Sequence, residues 1–390
     1  MIYNFDEIID RRGTFSVKYD LCKAVFGRAD VLPMWVADMD FRTPDFIRDA
    51  VIARAKGDVY GYTFRDDGYY QAVADWITRR HGWKVDREWI SYTPGVVAAI
   101  NMAVMGLTSV GDGIIIQTPV YPPFIHSVTS HGRRLITNTL KDSDHGYEMD
   151  FDLLEKQAED AKMLILSNPH NPVGRCWTRD ELQRLGEICL KNNLLVISDE
   201  IHCDLVLPGF KHIPFASLSP EFEKISITAH AASKTFNIAG MATSSIIIPN
   251  DELREKYVGF VHDTEIDLGN VLGKEATRAA MLHGEPWLAQ LLTYLKDNAD
   301  FAVDFIRREM PKVRVHKPEA TYLLWLDFSG YGLSDEELNR RMVYEIGLGL
   351  NPGHEFGREG ENHLRMNLAC PRSVLKTALE KMKRCNKIIS

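Results

Sequence analysis

Between Thr43 and Pro249 the 390-residue chain sets Ile114-Ile115-Ile116, Met163-Leu164-Ile165-Leu166, Leu194-Leu195-Val196-Ile197 and Ser245-Ile246-Ile247-Ile248 among stretches of helical periodicity. Runs that are apolar on both faces fit strands whose two sides are covered, as in a parallel sheet wrapped by helices. The intervening helices carry their own punctuation. Thr43-Pro44 opens one and Gly57 follows its end; Tyr69 to His81 stops at Gly82; Thr178-Arg179-Asp180-Glu181 is a capping box that turns Leu182, Leu185 and Cys189 inward before Asn192-Asn193. The expected fold class is α/β with a mostly parallel sheet between helices.

The pattern changes after about Glu285. Long helical segments lead to Val313-x-Val315 and Tyr322-Leu323-Leu324-Trp325-Leu326, then to a helix opened by Ser334-Asp335-Glu336-Glu337, a strand from His363 to Ala369 and a Lys-rich helix. This reads as a smaller α+β domain. The expected division is a large domain over residues 46–284 and a small one built from 1–45 and 285–390.

Acidic residues outnumber Lys and Arg, 54 to 46, for a formal charge of −8. With no basic block, the chain lacks the electrostatic footprint of a nucleic-acid or anionic-membrane binder, so small molecules are the expected partners. Cys22, Cys176, Cys189, Cys203, Cys370 and Cys385 form no C-x-x-C pair, which fits reduced thiols rather than a zinc knuckle. The opening Met1-Ile2-Tyr3-Asn4-Phe5-Asp6 leads into acids and arginines where a signal peptide needs an apolar core, and Val96 to Leu107 is too short to span a bilayer. A cytoplasmic location is expected.

Nucleotide motifs fail on inspection. Gly269-x-x-x-Gly273-Lys274-Glu275 is a residue short of a P-loop and lacks its Ser/Thr, and Gly347-x-Gly349 runs into Asn351-Pro352 instead of a helix. His202-x-Asp204 after Asp199 sketches a metal site without a visible third ligand set, so no metal is expected.

Four other strings stand at strand ends or helix starts. In Thr93-Pro94-Gly95-Val96-Val97 a strand turns into an apolar helix whose free N–H groups and dipole suit a phosphate, although the same string also serves as an ordinary helix start. Asn168-Pro169-His170-Asn171-Pro172-Val173-Gly174 makes turns and sets Asn171 at the carboxyl end of a parallel strand, where open sheets place ligands. Asp199-Glu200-Ile201-His202 puts a carboxylate at the inner end of an apolar strand, costly unless a cation or donor meets it, although an Asp here also serves as an ordinary helix cap. Ala232-Ser233-Lys234-Thr235-Phe236-Asn237-Ile238-Ala239-Gly240 carries a lysine in a small, polar turn, where a lysine is usually just solvated, but where an amine beside cationic or apolar groups becomes a nucleophile; only in combination are the four strings specific.

Taken in this order, the strings resemble fold-type I pyridoxal-phosphate enzymes of the class I/II aminotransferase group, with 28 positions from Asn171 to Asp199 and 35 from Asp199 to Lys234. The resemblance covers about Pro33 to Arg372. Pro33-Met34-Trp35-Val36-Ala37-Asp38-Met39-Asp40-Phe41, the D-E-I-H string, S-K-T-F-N-I-A-G and Arg365-x-Asn367-x-Ala369-Cys370-Pro371-Arg372 are similar to the MalY/PatB-type cystathionine β-lyase branch. It implies an aspartate aminotransferase-like fold, with a seven-stranded type of sheet.

The resemblance also implies roles. Lys234 would carry the cofactor, pyridoxal 5'-phosphate, and take the substrate Cα proton; Asp199 would keep the pyridine nitrogen protonated. Asn171 would bind the ring's phenolic oxygen beside His202, and Tyr121 would stack on the ring. Phosphate would rest on Gly95, Val96 and Val97 with Ser233, aided by Tyr62 from a second subunit of a homodimer. Two positions depart from many relatives, Ala231 where a Ser is common and Ala242 where an Arg is common, so the phosphate has fewer visible partners. Strand alternation places Arg365 and Asn367 on one face, and a guanidinium facing a cleft is a bidentate carboxylate clamp. Ala37 and Asp38 join it as expected substrate contacts, while Arg372 fits the clamp less clearly and is open to a structural ion pair instead.

The leading functional expectation is a carbon–sulfur β-lyase on cystathionine or S-substituted L-cysteines. An aminotransferase on the same scaffold is the alternative, since fold and cofactor do not fix reaction type. A third reading, from the branch resemblance, is a cofactor-containing regulatory protein that binds a transcription factor.

Overall fold

The computed structural model describes residues 2–388. Its strands are β1 Leu32–Pro33, β2 Ile90–Thr93, β3 Gly113–Ile116, β4 Arg134–Thr137, β5 Lys141–Ser143, β6 Gly146–Glu148, β7 Met163–Ser167, β8 Leu195–Asp199, β9 Ser226–His230, β10 Ser244–Ile247, β11 Arg314–Val315, β12 Leu323–Asp327, β13 Leu348–Gly349, β14 Asn351–Pro352 and β15 His363–Asn367. A seven-stranded sheet runs in the order β2-β10-β9-β8-β7-β3-β4. Its apolar runs are buried on both faces: Ile114, Ile115, Ile116, Leu164, Val196 and Ile246 are all solvent-free. One cover contains the helix Val96–Leu107, and the other contains Arg179–Lys191, whose Thr178–Glu181 capping box is formed.

Strand β10, legible from sequence only as another buried strand in a parallel run, pairs antiparallel with both β2 and β9. The reason is its connection: residues 231–243 hold one short helix, Ala232–Thr235, and a 3-10 turn rather than a helix long enough to cross the sheet. The other pairs are parallel, with Ser167 opposite Asp199 and Asp199 opposite Ala229. Asp199 at the end of β8, and the segments after β7 and β9 that bear Asn171 and Lys234, therefore lie side by side at the carboxyl edge of the sheet.

A four-stranded antiparallel sheet, in the order β11-β12-β15-β14, packs with the long helix Glu285–Glu309 and the helix Arg372–Met382. The N-terminal segment is stitched to this part by β1, which pairs parallel with β13. Thr43-Pro44 lies just outside the helix Asp45–Ala55, with Pro44 as N-cap and Lys56 rather than Gly57 as C-cap. Among the described residues no helix is long and apolar enough to cross a membrane, and all six cysteines are free and buried.

Candidate active site

A cleft of about 180 Å³ opens at the carboxyl edge of the large sheet, lined by Ala37, Gly95, Val96, Val97, Tyr121, Asn171, Asp199, His202, Ser233 and Lys234. The four strings thus converge on one space. Gly95 caps the helix Val96–Leu107 in an extended conformation, so the free N–H groups of its first turn face this end of the sheet. Pro94, Ser167, Ile201, Ala239, Ala242 and Thr243 complete the lining. Thr243 is a hydroxyl that the sequence did not single out; it stands next to Ala242, where the resemblance left the phosphate short of partners.

Electrostatics in the cleft follow from burial. Burial, aided by the Arg365 charge, pushes the Lys234 amine down to about 8, against the pull of Asp38 and Asp199. Burial pushes the Asp199 carboxyl up to about 7, opposed by the Ile201 N–H bond and the Lys234 charge. His202 is driven down to about 3 by burial and then by the Lys234 and Arg365 charges, so its ring is neutral at physiological pH. Lys234 Nζ donates to the Ala37 carbonyl at 2.7 Å.

Arg365 lies on β15, buried behind the cleft. It donates to Asn171 Oδ1 at 3.0 Å, to Asn351 Oδ1 at 2.7 Å and to the Trp35 carbonyl at 3.2 Å. Asn351, on β14 opposite Arg365, carried no sequence signal for this role.

Two expected residues, Asp38 and Tyr62, stand elsewhere in this chain, as does Arg372. Asp38 does not line the cleft: its carboxylate is held by Arg11 at 2.6 Å and approached by Lys18 at 3.9 Å, beside a separate 590 Å³ cavity. That cavity has no uncommitted arginine, since Arg11 pairs with Asp38, Arg42 with Glu7 and Arg48 with Asp45. Tyr62 is 98% exposed and touches nothing of its own cleft. Arg372 serves the helix at its back, donating to Asn298 Oδ1 at 2.7 Å with its guanidinium over Phe301.

Asp204 belongs to a different cluster. His81, Cys203 and Asp204 offer ligand atoms within 4.8 Å of one another, but Asp204 already accepts from Trp76, Arg80, His81 and Thr235. Donors, including a permanent guanidinium charge, occupy the space an ion would need.

A family model described as aminotransferase class I and II matches residues 29–382. Cystathionine beta-lyase PatB of Bacillus subtilis (strain 168) is 46% identical over 382 residues, covering 97% of this chain and 99% of that protein. Protein MalY of Escherichia coli (strain K12) is 31% identical over 378 residues, 96% of each chain. Cystalysin from Treponema denticola, solved with a pyridoxal 5'-phosphate cofactor, superimposes with a TM-score of 0.97 at 36% identity over the full length of both chains. The chain therefore belongs to the aminotransferase class I and II family, in the branch that holds PatB and MalY.

Proposed function

We propose that the chain is a pyridoxal-phosphate-dependent carbon–sulfur β-lyase that converts cystathionine or another S-substituted L-cysteine to pyruvate, ammonia and a thiol. The observation that carries this reading is a half-buried lysine of lowered pKa, Lys234, gathered in one cleft with Asp199, Asn171 and His202, where Asn171 also accepts from a buried guanidinium, Arg365.

The residues fit the cofactor. Asp199 is a buried carboxylate that accepts one backbone N–H and bonds no cation, the setting a protonated ring nitrogen would complete. His202 Nδ1 is buried without a hydrogen-bond partner in the same cleft. Lys234 would hold the cofactor, Asn171 and His202 would meet its phenolic side, Tyr121 would cover the ring, and the Gly95–Val97 backbone with Ser233 and Thr243 would take the phosphate. When bound, pyridoxal phosphate supplies an electron sink for charge developing at the substrate Cα.

This chain's own residues do the rest. Arg365 receives the substrate carboxylate and orients Cα toward Lys234. Lys234 Nζ, in the neutral form that its lowered pKa makes more accessible than for an ordinary lysine, takes the Cα proton. As the C–H pair moves in, the Cβ–S bond breaks and the sulfur leaves as thiolate; hydrolysis of the remainder gives pyruvate and ammonia.

Tyr62 and its neighbours Val59, Tyr60 and Phe64 are exposed together, an apolar segment that a second copy would cover. We propose a two-fold homodimer in which Tyr62 completes the partner's phosphate site. The division into residues 46–284 and 1–45 with 285–390 is proposed on the same basis as the two sheets. Pyruvate release from L-cystathionine with no keto acid present tests the reaction. Conversion that stops after one turnover and restarts only on adding a keto acid would identify an aminotransferase instead.

A further inference from the structure

The segment Met34 to Phe41 forms no regular strand, yet its carbonyls are met one by one from β15 and from the cleft. Met34 O accepts from Asn367 N at 2.8 Å and Trp35 O from Arg365 at 3.2 Å. Asn367 Nδ2 donates to both Val36 O, at 2.7 Å, and Asp38 O, at 2.6 Å, while its own Oδ1 accepts from Ala369 N at 2.7 Å, which fixes the amide's orientation. Between those two anchored carbonyls, Ala37 O accepts from Tyr322 Oη at 2.9 Å and from Lys234 Nζ at 2.7 Å. Asn367 and Tyr322 are each 1% exposed.

We infer that Asn367 and Tyr322 are positioning residues that make the Ala37 carbonyl a fixed docking point for the free Lys234 amine. The inference rests on the reading of Lys234 as the base. A lysine released from the cofactor has a long stem and several rotamers, so its nitrogen must be held if it is to meet Cα. A carbonyl can only accept: it takes one N–H and leaves the nitrogen's electron pair free for the Cα proton, whose C–H pair stays with the substrate. A carboxylate at the same point would favour the protonated amine. The carboxylate of the next residue, Asp38, is turned onto Arg11 and Lys18.

Two isosteric variants, Asn367→Leu and Tyr322→Phe, test this with two readouts. In the cofactor-free full-length protein, competitive acetylation mapped by mass spectrometry is expected to label Lys234 several-fold faster in Asn367→Leu than in wild type, with other lysines unchanged. In the loaded enzyme, kcat is expected to fall about tenfold with KM within about twofold, and Tyr322→Phe to show the same split more weakly. Folded variants with unchanged Lys234 labelling and unchanged kcat would overturn the inference. So would a rise in KM alone, which would mean that Asn367 serves only to hold the segment whose Trp35 carbonyl meets Arg365. Labelling needs no cofactor, so its failure is distinct from a failure of the lyase reading, which would show as pyruvate absent from wild type.

Discussion

Arg365 donates from Nη1 to the side-chain oxygen of Asn171 at 3.0 Å, across 194 positions of sequence. That bond commits the Asn171 oxygen as an acceptor and leaves its amide N–H group as the donor toward the cleft. It also seats the guanidinium before any carboxylate arrives, with Asn351 as a second support. One residue on a strand of the small sheet thereby orients a side chain that lines the cleft of the large one.

Arg365→Ala is expected to raise KM for L-cystathionine by about 100-fold, since a buried bidentate charge partner is lost. Arg365→Lys should recover little of this, because an ammonium cannot satisfy Asn171, Asn351 and a carboxylate from one plane. Steady-state kinetics on both variants check the point; an unchanged KM in Arg365→Ala would place the carboxylate elsewhere.

Lys234→Ala should abolish borohydride fixation of the cofactor to the chain and lower kcat by about ten-thousand-fold, the scale of losing both nucleophile and base. Peptide mapping of the reduced wild-type protein is expected to recover the cofactor on Lys234. A borohydride-stable adduct persisting in Lys234→Ala would refute the assignment.

Asp199 governs a pH effect in the cofactor-free protein. Its folded pKa is raised from 3.8 to about 7, so its contribution to stability is full below about pH 4 and is lost as pH rises through 7. The loss is on the order of 4 kcal/mol. Asp199→Asn, neutral throughout, should match wild type near pH 4 and exceed it in denaturant stability at pH 8, while losing activity when loaded. His202 and His170, depressed to about 3 and 4, act with the opposite sign, contributing stability that is lost on acidification below about 6.5. The wild-type minus variant difference isolates Asp199; parallel pH profiles would show that its carboxyl titrates normally.

Much of this site was legible because Gly95, Asn171, Asp199 and Lys234 each follow a strand end, and open sheets gather such positions at one edge. Alternation on β15 also placed Arg365 and Asn367 on one face. What escaped were partnerships made only by tertiary closure. Nothing local marks Asn351 on a two-strand-residue edge, Tyr322 beneath Ala37, or Lys18, a fully buried lysine paired with Asp40 at 2.7 Å. Asp38 sits in a string that resembles the branch, but the neighbours that turn its carboxylate aside, Arg11 and Lys18, come from the N-terminal segment. The direction of β10 depended on the length of its connection, which hydrophobic pattern does not encode.

Tyr62 provides the test of the dimer. If its hydroxyl serves the partner's phosphate, Tyr62→Ala weakens cofactor binding, and a chain carrying it remains able to offer an intact Lys234 cleft to a partner with an intact Tyr62. Mixing Tyr62→Ala with Lys234→Ala subunits then creates heterodimers with one doubly altered site and one native site. Random reassortment makes half the dimers mixed, each with one good site of two, so about a quarter of wild-type activity should return from two poorly active parents. If Tyr62 acted within its own chain, every site in the mixture would carry one lesion and no activity would return.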